Sequence, residues 1–141
     1  MVHSENNVET LLGKDGVEHV DFKELNQEVI SIPLLVAENK HHKSWSRRLI
    51  NTVNGSAVII SQSPGEGNRQ HYHPDYNEWW YIYDGEYELL IGEGKRVTRI
   101  KKGDFVFMEA GKKHQMRAVG TIPAIRIGFS HSMATHVYEG T

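Results

Sequence analysis

From Gly55 onward the chain is cut by glycine at short intervals, and eleven of its thirteen glycines lie there. The runs between them are short and rich in Val, Ile, Tyr, Phe and Trp. Segments of that length leave no room for ordinary helices. Their β-branched and aromatic side chains pack well on a pleated surface. The pattern predicts strands over 46–52, 56–62, 69–73, 78–84, 86–91, 96–100, 105–108, 114–119 and 124–130. Asp84-Gly85 and Glu93-Gly94 sit where hairpin turns are needed, and Lys102-Gly103-Asp104 and Ala110-Gly111-Lys112 read as further turns. No helical periodicity is found between Thr52 and Ser130, whereas Asp21–Val29 reads as a short helix or an extended arm. So many short antiparallel strands predict an all-β jelly-roll barrel whose cavity is lined by alternate residues of each strand. Residues 1–45 are expected to form an N-terminal arm, 46–131 the barrel and 132–141 a C-terminal tail.

Composition narrows the chemistry. The chain has 141 residues, no cysteine and a formal net charge of -2. One domain of ordinary size is expected. Without cysteine there is no disulfide scaffold, zinc finger, iron–sulfur cluster or thiol nucleophile. The weak acidic balance argues against a nucleic-acid partner. No apolar run reaches the roughly 18–20 residues that cross a bilayer, and Met1–Thr10 has neither a basic start nor an apolar stretch. The expectation is a cytoplasmic protein with no membrane partner. Its metal, if any, would be held by His, Asp, Glu or backbone oxygen.

Four side chains invite such a metal. His71 and His73 are two apart, so a strand turns both to one face. Glu78 opens the next strand after Pro74-Asp75-Tyr76-Asn77, and an adjacent antiparallel strand brings its carboxylate beside the imidazoles. His114 follows the Gly111 turn. Neutral imidazoles with one carboxylate suit Fe(II), Mn(II), Co(II), Ni(II) or Zn(II).

Gly65, His71, His73, Glu78 and Gly85 fit the motif G-x5-H-x-H-x(3,4)-E-x6-G without a gap. Gly103, Gly111 and His114 fit G-x5-P-x-G-x2-H-x3-N, with Glu109 in place of proline and Ala118 in place of asparagine. In both motifs the chain resembles the cupin superfamily over about residues 55–130. The resemblance implies a small jelly-roll barrel holding one divalent metal ion on His71, His73, Glu78 and His114.

Other residues are expected in the cavity. Alternation puts Arg69 on the face of His71 and His73, either as a clamp for an anionic substrate or as a salt-bridge partner of a buried acid; Glu78 is the one other inward acid, which favours the clamp. Trp80 and Ile82 share a face with Glu78 and would wall the pocket, with simple core as the other reading of Trp80. Met116, inward beside His114, reads equally as pocket or packing. Tyr72 and Tyr76 are candidates for a base. Trp79, Tyr81 and Tyr83 form an opposite face too aromatic for open solvent, so cover by the N-terminal arm or a homodimer partner is expected. His131 ends a strand near the cavity mouth, while His3, His19 and His136 carry no signal.

A narrower set of residues, Arg69, Tyr72-His73, Glu78-Trp79-Trp80-Tyr81, Gly85 and Gly103-Asp104, resembles 3-hydroxyanthranilate 3,4-dioxygenase. That family has Asp at the position of His71 and its glutamate one residue further on. The resemblance implies an Fe(II)-dependent dioxygenase with Arg69 helping to hold substrate and dioxygen. The expected substrate is a small anionic molecule, a carboxylate or phenol. A non-redox lyase, isomerase, decarboxylase or hydrolase uses the same ligands, and a non-catalytic binding protein is a third reading. Sugar-nucleotide epimerisation comes last, because that chemistry on a related barrel usually lacks the metal set.

Overall fold

A computed structural model describes residues 2–5, 17–19, 25–94, 96–131 and 136–139. The strands are β1 (Val2–Glu5), β2 (Glu18–His19), β3 (Trp45–Thr52), β4 (Gly55–Gln62), β5 (Glu78–Asp84), β6 (Glu86–Ile91), β7 (Arg96–Lys101), β8 (Phe105–Met108), β9 (His114–Val119), β10 (Ala124–Ser130) and β11 (His136–Glu139). One sheet runs β2-β3-β4-β10-β5-β8 and a second runs β7-β6-β9, while β1 and β11 pair with each other. Every pairing is antiparallel except the two-residue β2–β3 contact. This is the expected all-β jelly roll.

The predicted strand over 69–73 is the exception. It survives as single bridges, His71 to His114 and Tyr72 to Val137, beside a further bridge from Gly67 to Arg117. The segment is held by two partners in turn, β9 and then β11, so no continuous ladder forms.

Alternation decides what enters the core. In β5, Glu78, Trp80 and Ile82 are buried, whereas Trp79 and Tyr81 face out. Trp80, Ile82, Val106, Met108 and Ala124 from one sheet meet Tyr87, Leu89, Ile100, Met116 and Ala118 from the other. Two sheets closing on such a layer bury apolar side chains at roughly 25 cal/mol per Å2. A second cluster lies on the outer side of the large sheet, where Leu35 packs with Trp45, Leu49, Ala57, Ile59 and Ile125.

Leu35 belongs to α1 (Ile32–Glu38), a helix that begins beyond Asp21–Val29, the segment expected as a short helix or an extended arm. Residues 21–24 lie outside the described residues, and 25–29 are not helical. The cap explains the shift. Ser31 has extended backbone geometry, its side chain accepts from Leu34 N–H, and Pro33 falls in the first turn. Part of the expected arm therefore covers the barrel of its own chain.

The β5–β6 turn shows why one glycine is required. Gly85 has φ 71°, and a Cβ there would lie 2.5 Å from Pro123 O and 2.6 Å from Ala124 Cα. Only glycine meets both demands. The expected tail also has structure: β11 reaches back to β1 and to Tyr72.

Candidate metal centre

Backbone pairing sets the ligands opposite each other. His71 N–H donates to His114 O at 3.0 Å, and His114 N–H donates to His71 O at 2.8 Å. The Gly111 turn is tied to the same segment, its N–H donating to His73 O at 2.7 Å. This turn forms with Glu109 in the place of proline, and Lys112 N–H donates to Glu109 O at 3.2 Å. Asn77 Oδ1 accepts from Ala110 N–H at 2.9 Å, which joins the loop before Glu78 to the loop before His114. Ala118, in the place of asparagine, is fully buried in the core layer.

His71, His73, Glu78 and His114 come together as expected, all buried, each offering a ligand atom within 4.8 Å of the others. Their outer nitrogens are occupied. His71 Nδ1 lies 2.8 Å from Arg69 O and His114 Nδ1 lies 2.9 Å from Lys112 O. A carbonyl only accepts, so each Nδ1 carries the proton and each Nε2 turns a lone pair inward. His73 Nδ1 lies 2.6 Å from the Tyr76 hydroxyl, and its Nε2 lies 3.2 Å from Glu78 Oε1.

The decisive atom is His114 Nε2. It is buried, makes no hydrogen bond, and stands 3.4 Å from Glu78 Oε1. Where that nitrogen turns a lone pair to the carboxylate oxygen, a cation between them relieves the contact. The donor set, three imidazoles and one carboxylate, fits a divalent first-row ion. Charge supports this. Burial first, then His114, His136 and His73, holds His71 well below the usual imidazole range, so it stays neutral. Burial alone would raise Glu78, but the neighbouring His73 and His114 outweigh it and hold the carboxyl well below its usual range.

The remaining predicted residues separate. Tyr76 is buried with its hydroxyl on the outer nitrogen of His73. Burial, reinforced by Glu78 and Tyr138, pushes its phenol above the ordinary range. Tyr76 is thus placed to hold His73. Trp80 is buried with its ring 5.4 Å from that of His114. Ile82 and Met116 have no accessible surface and sit inside the core layer, not on an open wall. Arg69 is half-buried, its guanidinium 4.4 Å above the Tyr138 ring. His131 is exposed, 6.1 Å from the Tyr76 ring.

Two residues at the centre gave no sequence signal. The His136 ring lies 4.5 Å from that of His73 and 5.0 Å from that of His71, and the Tyr138 ring lies 5.5 Å from His71. Their spacing, His136-x-Tyr138, is the signal available: on a strand they share a face. A third interior residue, Arg126, is fully buried, donating to Gln62 Oε1 at 2.6 Å with its guanidinium 5.1 Å from the Tyr87 ring.

Residues 58–127 match the family model described as the cupin domain. The chain belongs to the cupin superfamily. Solved structures share the fold. A conserved protein with a double-stranded β-helix domain from Klebsiella pneumoniae superposes with a TM-score of 0.66, at 22% identity, over 82% of this chain and 100% of that one. The polyketide cyclase RemF from Streptomyces resistomycificus gives a TM-score of 0.59 at 16% identity, covering 65% of this chain and 67% of that one. In sequence, the tetracenomycin polyketide synthase protein TcmJ from Streptomyces glaucescens is 25% identical over 75 residues, which span 53% of this chain and 49% of that protein. Among the described residues, no helix is long and apolar enough to cross a membrane.

Proposed function

We propose that this cupin is a mononuclear metal enzyme, an Fe(II)-dependent dioxygenase acting on a small carboxylate or phenolate. The observation that carries the metal reading is the orphaned, buried His114 Nε2 facing Glu78 Oε1 at 3.4 Å. The bound ion would supply Lewis acidity and, as iron, access to dioxygen chemistry. The chain supplies the rest. Carbonyls of Arg69 and Lys112 and the Tyr76 hydroxyl fix the three imidazoles, so the donor set is formed before anything binds. Arg69 offers a permanent cation for the substrate anion, held over the Tyr138 ring. Trp80 closes the side of His114.

A second reading is non-redox metal chemistry at a carbonyl, as a lyase, isomerase or decarboxylase. The names of TcmJ and RemF, both tied to polyketides, favour it. Anaerobic loading with Fe(II), followed by oxygen-uptake screening on small carboxylic acids and phenols, separates the two. Substrate-dependent oxygen uptake supports the dioxygenase. Turnover in the absence of oxygen supports the alternative.

The working form is proposed to be a homodimer. Phe105 and Phe107 on the edge strand β8 are 65% and 62% exposed, and they pair with half-exposed Tyr81 and Trp79 on β5. The Trp79 ring stacks on Phe129, and beside them lies a groove of about 280 Å3. Such a stripe on an edge strand calls for a covering surface.

A further inference from the structure

The C-terminal strand brings to the centre two side chains that the matched cupin segment, residues 58–127, does not contain. Tyr72, between the two ligands His71 and His73, exchanges both backbone hydrogen bonds with Val137 of β11, at 3.1 and 2.9 Å. With Val137 locked there, alternation sends residues 136 and 138 to one side. Both are buried. His136 contacts the rings of His73 and His71, at 4.5 and 5.0 Å. Tyr138 stands 5.5 Å from His71 and carries the Arg69 guanidinium 4.4 Å from its ring centre.

We propose that β11 is part of the ligand site: Tyr138 positions Arg69 for a small carboxylate at the metal centre, and His136 forms the wall beside His71 and His73. The proposal rests on the reading of the centre as a metal site for an anion. Its physical basis is threefold. An arginine head has many rotamers, and a buried aromatic face selects one by attracting the cation. An imidazole carries at least one N–H in every protonation state, so His136 gives the wall a polar, donor-bearing edge. Both side chains also keep water from the contact, which strengthens charge-assisted bonds.

The test uses full-length protein loaded with Co(II), whose absorption reports the coordination sphere, and benzoate as the carboxylate probe. Elemental analysis and thermal melting are run on every variant. Tyr138→Leu and His136→Ala are expected to keep about one Co(II) per chain while binding benzoate roughly ten- to a hundredfold more weakly. Tyr138→Phe, which keeps the ring, should bind like the wild type. His136→Gln, which keeps a donor, should recover part of the loss and stands in for His136→Ala should the latter fail to fold. Benzoate affinity within twofold of wild type in both Tyr138→Leu and the His136 variants overturns the proposal. So does loss of Co(II) from the His136 variants, which would make His136 a ligand. Wild-type protein that takes up no Co(II), or takes it up and ignores benzoate, overturns the metal-and-anion reading itself and this proposal with it.

Discussion

Tyr76→Phe removes one oxygen and leaves the ring. The lost contact is the 2.6 Å hydrogen bond to His73 Nδ1, and both groups are buried. The other nitrogen of the ring faces Glu78 at 3.2 Å, and its flanks meet His71, His114 and His136. Losing a buried hydrogen bond costs on the order of 1 kcal/mol. A lost outer contact on a metal-ligating histidine typically weakens metal affinity about 10- to 100-fold. The two magnitudes agree, since each tenfold is about 1.4 kcal/mol. The expected outcome is a metal Kd raised by one to two orders of magnitude, measured by competition with a chelator of known affinity. The melting temperature of the metal-free variant should fall by a few degrees. The reasoning is refuted if metal affinity is unchanged while turnover disappears, because Tyr76 would then act on substrate and not through His73.

Three further outcomes are expected. Gly85→Ala should destabilise the fold by about 3 kcal/mol or more, since it combines a left-handed backbone with overlap on Pro123 and Ala124; urea unfolding measures it, and a change under 1 kcal/mol would contradict the turn geometry. The metal-free protein should lose stability as pH falls below about 6.5, because the unfolded chain protonates His71 there while the folded chain keeps it neutral, and further acid then removes the contribution of the Glu78 carboxylate. Each group supplies a slope of at most about 1.4 kcal/mol per pH unit, and melting curves at pH 7.5 and 5.5 should show it; equal stability at both would count against neutral His71. Phe105→Ser with Phe107→Ser should convert a dimer to a monomer in sedimentation experiments, whereas a wild-type monomer at micromolar concentration would remove the proposed interface.

Much of this molecule is legible in the sequence because period-two alternation and glycine turns are local signals. Eight of the nine predicted strands appear within one or two residues, and the four ligand residues converge. The misses share a physical cause. The 69–73 segment is shaped by two partners far along the chain, β9 and β11, so its own residues do not announce its irregularity. The helix at Ile32–Glu38 is seven residues long, too short to show periodicity, and only the Ser31 cap and Pro33 mark it. Ile82 and Met116 lie on the inward face as alternation requires, but inward means core at that depth of the barrel. The contact of Tyr76 with His73 depends on a side-chain direction that spacing does not fix. His136 and Tyr138 reach the centre through a pairing with Tyr72 sixty-odd residues away, which no local pattern encodes.

The central claim is that His71, His73, Glu78 and His114 hold one metal ion. Elemental analysis of protein purified without added metal, and again after loading with Fe(II), Mn(II), Co(II), Ni(II) or Zn(II) and exhaustive dialysis, tests it most directly. About one ion per chain is expected in the wild type and background levels in His71→Ala and His114→Ala. A wild type that retains no ion under any of these conditions, or alanine variants that retain as much as the wild type, would contradict it.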